Sequence, residues 1–279
     1  MNRISGFFLF GAGAFLGALG IAHAGTASGV EGLYYTGINN SGGLLAGGTT
    51  DTHWTVSYAA IGGTKNTAYQ GAAYVISSPA GGWVANTASA QWLTAPGNGG
   101  SYSLPGNGTT GANAASYVYT LAFNISGTGA IGDAVSNKVS ITLTLAADDQ
   151  AKIYVNPTYN ADGGVSSASL LGDTKTSAWS NTSSTTLHNY YDGSAKNANF
   201  VIGTNYLVIQ VDNTNSQTGT STSSALNPGG LLVYQVGAIA TIDNKPIVPE
   251  VGAWLPVLGA LGLFYWKRSR TAKPQSIAA

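Results

Sequence analysis

The sequence contains no cysteine. In an exported chain, which the two ends below indicate, this excludes a disulfide framework. It also excludes thiolate metal sites, iron–sulfur clusters and a cysteine nucleophile. Charge is scarce as well, at 8% of residues. Between Gly25 and Ile247 stand six lysines, ten acidic residues and no arginine. A stretch of that balance lacks the electrostatic footprint of a nucleic-acid binder. Glu31 is its sole glutamate, and His53 and His188 are its sole histidines. No G-x-S-x-G elbow occurs, so the usual sequence sign of a serine hydrolase is missing.

What is present is Gly, Ser, Thr, Asn and Ala, with fourteen tyrosines before the C-terminal tail. Disordered chains are poor in aromatics and β-branched residues, so this middle region is expected to fold. Lys138–Leu145 alternates strictly: Val139, Ile141, Leu143 and Leu145 face one way, Ser140, Thr142 and Thr144 the other. That pattern marks a strand buried on one face. Further strands are expected at 31–37, 53–58, 72–76, 116–123, 151–156, 205–211 and 231–236. Long polar loops are expected at 177–196 and 213–230. Many short strands between Gly, Pro and Asn turns predict one all-β domain, an antiparallel β-sandwich over residues 25–247. No fixed-period repeat points to a propeller or solenoid.

Candidate site residues are few. Trp83 and Trp179 lie among loop-type residues and are the candidate ligand-binding aromatics, because indole offers a flat apolar face with a polar handle. Core packing is the alternative reading for both. Asp148 and Asp149 follow the alternating strand. They could ligate a structural Ca²⁺, which prefers oxygen ligands, or simply form a turn between two strands. His53, in Asp51-Thr52-His53-Trp54, reads as a packed structural histidine, and His188 as a solvated loop residue. Three functions stand open: a non-enzymatic surface or matrix protein that binds glycans, a purely structural matrix protein, and a secreted hydrolase. The last would use Asp148 or Asp149 with His53, and it requires these side chains to converge.

Both ends read as targeting segments. Residues 1–24 carry a basic start at Arg3, an apolar run from Phe7 to Ile21 and a small-x-small end, Ala22-His23-Ala24. This is the pattern of a secretory signal peptide. At the other end, Val248-Pro249-Glu250 precedes sixteen apolar residues, Val251 to Trp266, and a basic cluster of Lys267, Arg268 and Arg270. Sixteen helical residues reach only about 24 Å, short of a hydrocarbon core of ~30 Å. A marginal transmembrane helix with a basic cytoplasmic stop is expected over 251–266, and residues 274–279 form a short tail. A simple tail anchor is the alternative.

This arrangement over 248–273 resembles the PEP-CTERM sorting signal. The matching parts are Pro249-Glu250, the Gly/Leu-rich span Leu255–Leu263 and the basic residues Lys267, Arg268 and Arg270, while Val251 replaces the second proline. The resemblance implies recognition by an exosortase, a membrane protease that would process the chain near Pro249-Glu250. It also implies delivery to the cell surface or polysaccharide matrix of a Gram-negative bacterium. The middle is similar to galactose-binding-like jelly-roll modules, on Asp51–Trp54, Trp83–Asn86, Gln91-Trp92 and Leu145–Asn156.

Overall fold

A computed structural model describes residues 24–96, 103–105, 115–174, 178–189, 197–213, 226–234, 240–243 and 245–247. Most of the signal peptide, the sorting residues Val248, Pro249 and Glu250, the span 251–266 and the basic residues Lys267, Arg268 and Arg270 lie outside them. Among the described residues no helix is long and apolar enough to cross a membrane. The described regular structure is β-strand apart from two single 3₁₀ turns.

The strands in chain order are β1 (Ala24–Glu31), β2 (Thr50–Ile61), β3 (Thr64–Lys65), β4 (Gly71–Ile76), β5 (Trp92–Thr94), β6 (Ser103–Pro105), β7 (Ala115–Thr128), β8 (Ala134–Val135), β9 (Val139–Asp148), β10 (Gln150–Val155), β11 (Gly172–Asp173), β12 (Ser183–His188), β13 (Gly203–Asn213), β14 (Leu226–Pro228), β15 (Gly230–Tyr234), β16 (Ala240–Ile242) and β17 (Lys245–Ile247). One sheet runs β11-β10-β13-β7-β2-β4-β5-β15-β9-β16-β17, with β1 on β7 and β12 on β9. Its pairings are antiparallel except for a short parallel contact between β1 and β8. The sheet curls until its two halves face each other, an antiparallel sheet nearly closed into a barrel or sandwich. The inner residues of β9 and β15 thus share one core with those of β7, β10 and β13.

The alternation expected for β9 is realised. Val139, Ile141, Leu143 and Leu145 are all buried. The opposite face is polar and cross-linked: Thr142 meets Thr186 at 3.1 Å, Thr144 meets Ser184 at 2.9 Å and Ser140 meets Thr241 at 2.6 Å. Such hydroxyl pairs between neighbouring strands stabilise a sheet where no apolar cover exists. They also explain a correction. The segment 177–196, expected as a loop, contains β12, whose Ser-Ser-Thr-Thr face has no hydrophobic alternation to reveal it. The strand expected at 31–37 is likewise displaced. β1 ends at Glu31, and Gly32 turns the chain with φ +79, in the left-handed region.

Tyr119 on β7 is fully buried, and its hydroxyl has no hydrogen-bond partner among the described residues. Burial alone pushes its ionisation upward. An unsatisfied buried hydroxyl is a net cost, so Tyr119→Phe is expected to raise the unfolding free energy by about 1 kcal/mol. Urea denaturation reads it as a higher midpoint at unchanged slope.

Candidate functional site

Two polar clusters are built into this frame, one at each end of the core. The first forms where β9 passes into β10. Asp148 pairs with Gly230 on β15, and the Asp149 N–H donates to the Asp212 carbonyl of β13 at 3.1 Å. Both carboxyls are buried, at 5% and 4% exposure. The Trp83 indole N–H donates to Asp148 Oδ2 at 3.0 Å. Trp83 in turn packs on Trp92, ring centroids 4.1 Å apart. The close approach needs Gly230, since a Cβ there would lie 2.7 Å from the Leu93 carbonyl and 3.1 Å from the Trp83 ring.

Desolvation pushes the Asp148 carboxyl up to about 9, with the hydrogen bond and charge of Asp149 adding to it and the Trp83 donor opposing it. At neutral pH Asp148 therefore keeps its proton and can share it with its neighbour. Beside this pair, Asp212 is held by Lys152 Nζ at 2.6 Å and by Ser116 Oγ and Gln210 Nε2, each at 2.7 Å. Among the described residues no group of three or more His, Asp or Glu side chains is arranged to hold a metal ion.

From the sequence Trp83 is open to two readings, a ligand-binding aromatic in a loop and core packing, and the structure shows packing. It is buried at 9% exposure, because its indole nitrogen finds Asp148 and its rings find Trp92. Trp179 is half-buried. Its ring packs over Gly82 and its carbonyl accepts from the Val84 N–H at 2.8 Å. So the two tryptophans and the two aspartates do meet at one end of the fold, but as an interlocked packing unit.

The second cluster closes the other end. Asp51 is buried and accepts three backbone N–H groups: Gly37 at 2.7 Å, His53 at 2.7 Å and Trp54 at 2.9 Å. Burial pushes this carboxyl up while the three donors pull it down. The clamp pins residues 33–37 across the barrel opening. Leu33, Tyr34 and Tyr35 fill it so well that only about 10 Å³ remains against Trp54, Leu121, Leu143 and Val233. Tyr34 lies flat on His53, centroids 3.5 Å apart and planes within 6°. Desolvation pushes the His53 imidazole down, against the Asp51 charge, so it is neutral at pH 7.

His53 and the aspartates Asp148 and Asp149 do not converge. Trp54 is in register with Leu121, and Leu121 with Leu207. Asp212, which takes the Asp149 N–H, stands five residues further along β13. At ~3.3 Å per residue that is roughly 16 Å. The acid–imidazole site weighed for a hydrolase is therefore not assembled from these side chains. His188, expected in a solvated loop, is buried on β12. Comparison with protein families, with curated proteins and with solved structures gives no match to this chain.

Proposed function

We propose that the chain is an exported, non-enzymatic protein of the cell surface or extracellular matrix, which binds glycans and is sorted through its C-terminal signal. The observation that carries this reading is the position of the fold between the two targeting segments. Described strands run from Ala24 to Ile247, so Val248-Pro249-Glu250 follows the last strand directly. The apolar span 251–266 and the basic residues Lys267, Arg268 and Arg270 come next. A membrane protease of the exosortase class would then meet its motif at the border between folded domain and membrane. The product would pass to the surface or polysaccharide matrix of a Gram-negative bacterium. The sandwich is read as jelly-roll-like, similar to galactose-binding-like modules. The non-enzymatic reading is supported by the separation of His53 from Asp148 and Asp149, whose buried carboxyls hydrogen-bond to each other and, for Asp148, to the Trp83 indole.

Mass spectrometry of the mature protein from the cell surface tests this. The expected C-terminus lies near Pro249-Glu250, and the expected N-terminus at Gly25. A surface form that retains Trp266 through Arg270 would overturn the processing step.

A further inference from the structure

The outer face of the sheet carries a feature that neither polar cluster uses. Where the chain leaves β1 and crosses toward Tyr34, an open trough of about 380 Å³ lies against β7 and β13. The register explains its composition. Glu31 pairs with Asn124, and Asn124 with Thr204. Paired residues point to the same face, so a carboxylate, an amide and a hydroxyl form a row across three strands. All three are exposed. In the next row Ala122 pairs with Tyr206. Ala122 is small and exposed, so it leaves the floor low between larger neighbours.

Aromatic rings bound this floor. Tyr34 lines one side and is held by its stack on His53. Tyr206, the cross-strand partner of Ala122, stands beside the lining residues at 47% exposure, an unusual placement for a large ring. Tyr159 extends the aromatic edge at 49% exposure. Its hydroxyl is pushed up first by burial and then by Tyr206, which places the two phenols near each other. Asn156 fixes the region, accepting from the Tyr206 N–H at 2.8 Å and donating to Asn205 Oδ1 at 2.8 Å.

We propose that this trough is a binding site for a neutral polysaccharide chain. The inference rests on the glycan-binding reading above and locates it on the sheet face, away from Trp83 and Trp179. Three properties select the ligand. An open trough on a sheet admits a polymer threading through it. Tyrosine faces offer apolar contact to the C–H face of a sugar ring while their hydroxyls stay wet. The row of Glu31, Asn124 and Thr204 provides acceptors and donors about 5 Å apart, and a carboxylate accepts strong bonds from sugar hydroxyls. Among the described residues that line the trough none is cationic, so a uronate polymer would meet Glu31 with like charge.

Affinity electrophoresis in native gels tests this, with hydroxyethylcellulose and a galactan as neutral probes and polygalacturonate as the acidic one. The protein should be retarded by a neutral polymer and not by polygalacturonate. Tyr206→Ala should weaken binding about tenfold, as loss of a central aromatic contact does. Ala122→Tyr, which fills the floor at an exposed position, should abolish it. Trp179→Ala should bind like the wild type, and melting curves check that every variant is folded. Wild-type retardation that survives both Tyr206→Ala and Ala122→Tyr would overturn the trough and leave glycan binding standing. No retardation by any polymer would overturn both. Preference for polygalacturonate would overturn the neutral ligand.

Discussion

Asp51→Ala should lower the unfolding free energy by about 3–5 kcal/mol, among the larger effects a single substitution produces. Three backbone N–H groups, those of Gly37, His53 and Trp54, lose their acceptor together. Each orphaned buried donor costs about 1–3 kcal/mol, and relaxation toward water recovers part of the sum. The loss reaches further than the carboxyl itself. Thr36, next to Gly37, joins this segment to β15 through its N–H to the Val233 carbonyl at 3.1 Å and its hydroxyl to the Val233 N–H at 3.0 Å. Release of the clamp frees Tyr34 from the barrel mouth and from its stack on His53. Urea unfolding followed by tryptophan fluorescence measures the loss. For a domain of this size the melting temperature should fall by roughly 10 °C or more. Asp51→Asn should recover part of the loss, since an amide oxygen accepts where the carboxylate did. A melting temperature within 2 °C or so of wild type for Asp51→Ala would refute the clamp.

Stability should also fall as the pH rises from about 4 to about 9, with Asp148 as a main cause. Its folded-state value, about 9, lies above the 3.8 of the ordinary side chain. As pH climbs, the unfolded chain releases this proton first and the folded chain keeps it. The unfolded state then binds fewer protons, and the linkage slope is negative. A fully retained proton gives a loss of about 1.4 kcal/mol per pH unit. This contribution is greatest below about pH 4 and is gone above the folded-state value. Asp148→Asn replaces the protonated acid by a neutral group of the same shape. Its oxygen can still accept from the Trp83 indole, and its amide can still donate toward Asp149. At pH 8 the variant should be more stable than wild type by several kcal/mol, about 5 for a fully retained proton. At pH 4 the two should nearly coincide. Denaturation midpoints at four or five pH values decide it. Parallel pH curves for the two proteins would show that Asp148 does not carry the proton.

Much of the architecture was legible because its signal is local. β9 announced itself through Val139, Ile141, Leu143 and Leu145, since a half-buried strand needs alternate apolar residues. β12 stayed hidden because Ser183 to Thr186 pair with β9 by hydroxyls instead of burying an apolar face. Asp51 was overlooked as a site residue, although a signal was present. An aspartate two and three residues before His53 and Trp54 is well placed to accept their N–H groups, as the Asx turn does. The third donor, from Gly37, had no local sign. The carboxylate–amide–hydroxyl row of the trough had none either, because Glu31, Asn124 and Thr204 lie on three separate strands.

The sequence by itself determined the chemistry available: no thiol, no arginine and an acidic balance between Gly25 and Ile247, abundant tyrosine and alternating strands. Those follow from composition and from a period of two residues, which any stretch of chain displays alone. Only the tertiary structure decided what each polar group does. Trp83 and Asp148 are 65 residues apart in the chain and meet because β15 lies between β5 and β9 in the sheet. That contact decided between the two readings of Trp83 in favour of packing. Burial beside Asp149, against the pull of the Trp83 donor, keeps the candidate metal ligand Asp148 protonated at neutral pH. Register between distant strands is set by the packing of the whole core, so the partners of a buried side chain are fixed only when the sheet closes.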